Sequence, residues 1–247
     1  MPTQVGRIGR DVTKKGLEMA GSEFDAYRNT YADTVNSAIS FSGLDVDFFT
    51  RAKAVRLIDI LTREVGAPGG LSVLDVGCGI GNYHGLLSGK VGRLTGVDPS
   101  SECIAEAEIR NPGVAYAVSD GNVLPFPDNE FDAAYAICVM HHVPPAKWKL
   151  FAQELARVTR PGGMVVIFEH NPYNPVTRRI VSNCAFDVDA VLLSKRQVMR
   201  HLENAGLRDI GGQYILNVPS IDGALRRIDD AMGFVPLGAQ YYASGRR

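Results

Sequence analysis

The stretch LDVGCGIGN, Leu74 to Asn82, constrains this chain more than any other. Asp75, Gly77, Gly79 and Gly81 recur there at spacing two, behind the apolar residues Leu71, Val73, Leu74 and Val76. An apolar run that ends in closely spaced glycines reads as a buried strand stopping in a tight turn, with a helix to follow. Glycine has no Cβ, so the backbone can take positive φ and a ligand can lie directly on it. Such a turn fits a nucleotide-like ligand.

The neighbouring residues narrow the choice of ligand. A dinucleotide fingerprint requires G-x-G-x-x-G. Counted from Gly77 and Gly79, its third glycine falls on Asn82, so the pattern fails. The phosphate-binding run G-x-x-x-x-G-K-[ST] is absent. S-adenosylmethionine (SAM) is the third reading. It carries no phosphate, and it needs close backbone approach and acceptors for its ribose hydroxyls and adenine. An ordinary strand–helix turn is the bland alternative. RLTGVDPSS, Arg93 to Ser101, reads as a second strand ending at Asp98, whose carboxylate can accept from both ribose hydroxyls. A third strand, about Val114 to Val118, runs into SDGNVLPFPDNEFD. There Asp120 can accept from an adenine amine or simply close a turn.

With these segments in order, the chain resembles the class I SAM-dependent methyltransferases that act on small molecules. The resemblance covers about Asp45 to Arg247. LDVGCGIGN, GVDPS and SDGNVLPFPDNEFD resemble that family's first three motifs. FDAAYAICVMHHV, Phe131 to Val143, resembles its fourth strand and active-site edge. RVTRPGGMVVIFEH, Arg157 to His170, resembles the helix, Pro-Gly-Gly turn and fifth strand that follow. The resemblance implies an α/β fold: a Rossmann-like, seven-stranded, mostly parallel sheet with helices on both faces, an antiparallel last strand and an N-terminal helical cap. It implies SAM as methyl donor. It then implies Asp98 on the ribose, Asp120 with Gly121 or Asn122 near adenine, and Gly77 with Ala136 or Ile137 near the methionine moiety. Asp75, Gly79, Gly81 and Pro99 join them as expected cofactor-binding residues.

Composition bounds the reading. A chain of 247 residues, 45% hydrophobic, can bury one full core. The net charge is −1, with no basic stripe for nucleic acid. The longest apolar runs, such as Ala133 to Met140, are too short to span a bilayer. No apolar signal-peptide core opens the chain, so a cytoplasmic protein is expected. Cys78, Cys103, Cys138 and Cys184 match no zinc spacing, so neither metal nor disulfide is expected. Cys78 in the turn and Cys138 in a buried strand read as small apolar fillers.

Residues 1–21 read as a flexible N-terminus and 22–65 as the helical cap. Phe24 to Phe41 has near-helical apolar spacing, either a lid bringing Tyr27 or Tyr31 to the cofactor or a packing helix. Asp47 to Val65 is a clearer helix. Residues 66–247 then form the SAM-binding domain, alternating strand and helix. Helices are expected at Ser101–Arg110, Pro144–Thr159, Val176–Cys184, Ser194–Gly206 and Gly223–Met232. Last strands are expected near Asp209–Asn217 and Gly238–Ser244. Residues 171–193 are long for a strand–helix connection and read as a substrate-facing insert.

Methyl transfer from a sulfonium needs alignment above all. A hydroxyl acceptor also gains from a general base. The ends of strands four and five carry His141-His142 and Glu169-His170, which are the candidate catalytic residues. His142 or His141 would take the proton, with Glu169 or His170 assisting. His84 and His201 read as surface. Asn171, Tyr173, Asn174 and Arg178 suit a sugar or glycoside acceptor, or only loop capping. Phe186 and Leu192 would instead line an apolar pocket. O-methylation of a small hydroxylated acceptor is the leading reading. C- or N-methylation of a lipid, quinone or amine is the near alternative. An NAD(P)-dependent oxidoreductase or a non-catalytic SAM-binding protein lies outside that class.

Overall fold

The computed structural model describes residues 44–184 and 187–247. The expected flexible N-terminus, the 24–41 helix with Tyr27 and Tyr31, and Phe186 lie outside the described residues. Seven strands form one sheet: β1 (Ser72–Val76), β2 (Arg93–Asp98), β3 (Ala115–Val118), β4 (Phe131–Ile137), β5 (Thr159–His170), β6 (Arg208–Ile215) and β7 (Gln240–Arg246). Their order is β3-β2-β1-β4-β5-β7-β6. The first five are parallel, and β7 runs antiparallel between β5 and β6. This is the expected Rossmann-like sheet with its antiparallel last strand.

The helices are α1 (Val46–Glu64), α2 (His84–Leu87), α3 (Ser101–Arg110), α4 (Trp148–Val158), α5 (Pro175–Asn183), α6 (Lys195–Asn204) and α7 (Gly223–Ala231). Alternate strand residues face opposite cores, as a period of two requires. Phe131, Val165 and Ile167 pack with Leu155 of α4 and Leu202 of α6. Tyr135, Val166 and Phe168 pack with Leu57 and Leu61 of α1. Central strands buried on both faces explain the nearly unbroken apolar runs of β4 and β5.

Short polar side chains set several helix starts. The Asp45 carboxylate accepts from Phe48 N–H, Ser100 Oγ from Cys103 N–H, and Asn174 Oδ1 from Thr177 N–H. Ser194 and Gln197 form a reciprocal capping box. Two boundaries differ from the sequence reading. Prolines 144 and 145 hold a 3₁₀ turn, Pro145–Lys147, so α4 starts at Trp148. Thr159 already pairs with Phe131, and the register jumps before Ala133 meets Met164. Pro161-Gly162-Gly163 is therefore a bulge within β5 rather than a turn before it.

Parallel strands end on the same side. The loops after β1, β2, β4 and β5 therefore converge at one edge, where ligands bind in open α/β sheets. No helix among the described residues is long and apolar enough to cross a membrane.

Candidate active site

The glycine turn is held from below. Asp75 is only 2% exposed, and its Oδ2 accepts from Nε2–H of His84 at 3.0 Å. With that proton on Nε2, the ring's Nδ1 accepts from the Tyr116 hydroxyl at 2.7 Å. His84 is fully buried, which corrects the expected surface position. Four residues of helix, Val-free and short, show too little periodicity to reveal which side faces inward. His201 is half-buried against Trp148 rather than exposed. Asp75 thus braces the turn and its carboxylate does not reach the surface where a ligand would lie.

At Gly81, φ is 72° and an added Cβ would lie 2.9 Å from His84 Nδ1. At Gly79, φ is 52°, yet a Cβ would meet nothing within 4 Å. The first glycine lets the backbone close on the buried brace, whereas the second leaves an open surface above the turn. Gly79 N–H donates to Asp98 Oδ2, and Ser100 N–H donates to Asp98 Oδ1, both at 2.9 Å. Asp98 therefore ties the turn to the start of α3. Asp120, past the end of β3, is exposed. Its Oδ1 accepts from Asn122 and Val123 N–H at 2.8 Å, and these bonds hold its carboxyl below the usual range.

A groove runs from the turn to α4. Gly77, Pro99, Gly121 and Asn122 line it together with Val139 and Phe151. Four of the expected cofactor residues are thereby brought to one cavity. Ser119, Val139 and Lys147 line it too and were missed, since none lies at a glycine or acid position in the motifs. Ala136 and Ile137 are buried within β4, 0% and 7% exposed, so their side chains face the core.

The second half of the site is the turn after β4. Cys138 lies just past the strand, half-buried, with φ at 57°. It is not inside the strand, as its apolar neighbours suggested. Its N–H donates to Phe168 O, and its sulfur accepts from Lys53 Nζ of α1 at 3.8 Å. Met140–His142 then form a 3₁₀ turn. Trp148 at the start of α4 clamps it by donating from Nε1 to the carbonyls of Met140 and Val143.

His141 is 1% exposed. Its Nδ1–H donates to Glu169 Oε2 at 2.5 Å, and its Nε2 lies 3.4 Å from Asp187 Oδ1. His142 Nε2 lies 3.5 Å from the same oxygen. Burial disfavours charge on both rings. For His141 the carboxylates of Glu169 and Asp187 outweigh it, so its pKa is raised well above the usual value. For His142 the neighbouring His141 charge adds to burial, lowering it to about 4. Burial raises the two carboxyls, yet His141 outweighs it and both are lowered. At Cys138 burial pushes the thiol up, while Lys53 and His170 outweigh it and bring it down to about 7.

The structure thus joins His141, His142 and Glu169, with the His170 ring 5.2 Å from that of His141. Asp187, missed in the sequence, completes the group. It comes from FDVD in the 171–193 segment, and only the fold brings it to residues 141 and 142. Two of the four polar residues offered there for a sugar, Asn171 and Asn174, are otherwise engaged. Asn171 is fully buried and donates from Nδ2 to the carbonyls of Pro236 and Gly238. Asn174 caps α5. Loop closure, the alternative reading, accounts for both.

Residues 74–167 match the family described as "Methyltransferase domain". The chain is 39% identical over 108 residues to a 2-methyl-6-phytyl-1,4-hydroquinone methyltransferase of Synechocystis sp., covering 42% of this chain and 33% of that protein. It is 36% identical over 124 residues to the O-methyltransferase resE of Aspergillus sclerotiorum, covering 43% and 44%. The chain spans less than half the length of these two curated relatives. A Thermotoga maritima structure described as a SAM-dependent methyltransferase, possible histamine N-methyltransferase, superposes with a TM-score of 0.65 at 19% identity. That match covers 92% of this chain and 99% of the other. Residues 74–167 thus match a methyltransferase domain, and the seven-stranded sheet shares its fold with that solved structure.

Proposed function

We propose that this protein transfers the methyl group of SAM to an oxygen of a small hydroxylated acceptor. The groove and the turn beside it fit SAM: an apolar slot between Pro99, Val139 and Phe151, with an open backbone at Gly79 and the Asp98 carboxylate at the tip of β2 close by in the chain. Gly77, Gly121 and Asn122 complete that binding surface. When bound, SAM supplies an already activated methyl group on a sulfonium.

The observation that carries the reading is His142. It stands in the 3₁₀ turn after β4, its side chain 24% exposed, next to Val143, which lines the groove. Burial and the His141 charge keep its imidazole neutral near pH 7, the form that accepts a proton. His141 and Glu169 are too deeply buried to meet an acceptor, so we assign them positioning roles. As the acceptor oxygen bonds to the methyl carbon and the carbon–sulfur bond breaks, the hydroxyl proton passes to His142 and then to water. Exposed Val188 and Val191 follow Asp187 in the chain and fit an acceptor with an apolar body. A second reading, methylation of a hydroquinone ring carbon, is supported by the Synechocystis relative. There the same proton loss from a ring hydroxyl would activate the adjacent carbon.

The test is transfer of labelled methyl from SAM to a panel of sugars, phenols and hydroquinones, with product analysis by mass and NMR. The expected product is a methyl ether. His142→Ala should lower the rate about 10²–10⁴-fold without weakening SAM binding. A methylated amine as product, or a variant as fast as the parent, would reject the oxygen-directed reading. A ring-methylated product would favour the second.

A further inference from the structure

We propose that His141, His142 and Asp187 form a site for a divalent transition ion of the zinc type, open on the acceptor side. The inference rests on the reading of this cluster as the acceptor-facing end of the site. His141 Nε2 and His142 Nε2 lie 3.4 and 3.5 Å from Asp187 Oδ1, and the three ligand atoms all lie within 4.8 Å of one another. Zinc binds imidazole nitrogen and carboxylate oxygen at about 2.0–2.2 Å, so neighbouring ligands in a tetrahedron stand about 3.4 Å apart. Two edges of the cluster have that length. They are also long for hydrogen bonds, so the three groups converge without closing on one another.

The surroundings match a metal centre. His141 presents Nε2 to the cluster while its Nδ1–H donates to fully buried Glu169. A carboxylate behind a ligating imidazole fixes its tautomer and orientation in this way. Glu169 and Asp187 place two carboxylates against these rings, a setting that suits a bound cation. Two imidazoles and one carboxylate are also a donor set of catalytic zinc, which keeps a fourth position open. Here the partly exposed His142 side marks that opening.

Binding balances as follows. The ion bonds to His141 Nε2, whose proton leaves to water, and the Nδ1 proton stays in its bond to Glu169. The ion also takes the lone pair of His142 and one oxygen of Asp187. An acceptor hydroxyl in the fourth position is acidified by the ion and loses its proton to water. His142 is then a ligand when the ion is present and the proton acceptor when it is not.

The test strips the full chain with a chelator and titrates it with Co²⁺, then Zn²⁺ in competition. The expected result is saturation at one ion per chain, with the intense visible absorption of tetrahedral Co²⁺. Calorimetry in two buffers of different ionisation enthalpy should show proton release on binding. Asp187→Asn should abolish the absorption while SAM affinity stays at the parent value, which also shows that the variant folds. Glu169→Gln should weaken ion binding about 10–100-fold. Absence of saturable binding, or an unchanged Co²⁺ spectrum in Asp187→Asn, overturns the site. In that event a rate loss in His142→Ala still upholds the imidazole mechanism. Ion binding with no methyl transfer to any hydroxyl would instead uphold the site and reject the functional reading.

Discussion

At Cys138 the chain takes a left-handed φ of 57°, a conformation that costs a non-glycine residue about 1 kcal/mol or more. The thiol is thereby set against Lys53 of α1, where it titrates at about 7. Cys78 lies in the glycine turn, and burial followed by the Asp75 charge pushes its thiol far upward. Iodoacetamide should therefore modify Cys138 with a rate that is half-maximal near pH 7, and Cys78 should stay unmodified by peptide mapping. Lys53→Met should shift that midpoint upward. The same residue scale sets the pH profile. His142 acts as a base only when neutral, and its folded value is about 4 against 6.5 ordinarily. Activity should hold as pH falls through 6.5 and decline only on approach to 4, measured as kcat/KM. Between those values the unfolded chain binds more protons at this position, so stability falls as pH drops from 6.5 toward 4. A rate limb centred at 6.5 would contradict the assignment. Neither protonation state was legible in the sequence, because each depends on neighbours from other elements.

Among the elements, α1 and α7 lie far apart in sequence yet share a buried ion pair. The Arg56 guanidinium bonds Asp229 at 3.0 Å, with side chains 8% and 1% exposed, and also reaches Asp230. Asp229 in turn accepts from the N–H groups of Leu216, Asn217 and Val218, closing the chain after β6. Removing the cation leaves a buried carboxylate underpaired. Arg56→Met should cost about 3 kcal/mol, read as a lower urea midpoint. At this scale the sequence was a good guide to existence and type. Strand ends at Asp98 and Val118, and caps at Ser100 and Ser194, emerge from apolar runs and from short polar residues before helices. Local rules carry that far. They fail at Pro161-Gly162-Gly163, where pairing with β4 decides that the glycines form a bulge.

Over the whole molecule, β7 is the strand on which the sheet depends. It pairs over seven positions with β5 and joins β6 to the rest. A chain ending before Gln240 should leave β6 without a partner and β5 with an open edge. We expect it to aggregate, with loss of the cooperative thermal transition seen by calorimetry. The candidate cofactor groove was partly legible because its residues follow successive strands in order, so topology alone collects them. The candidate catalytic cluster was less so. His141 and His142 stood out as a pair, but Asp187 and the brace from Asp75 to Tyr116 join residues whose proximity only packing decides.

The short turn after β4 belongs to both halves of the site. Val139 and Val143 wall the groove, while the candidate base His142 and its neighbour His141 lie between them in sequence, and Trp148 ties the turn together. A molecule filling the groove therefore loads the same turn that an acceptor must engage. Occupancy of one half then changes affinity for the other, and thermodynamic linkage makes the effect mutual. Steady-state kinetics should show ordered addition, donor before acceptor. An unreactive acceptor analogue should inhibit competitively against acceptor and uncompetitively against donor.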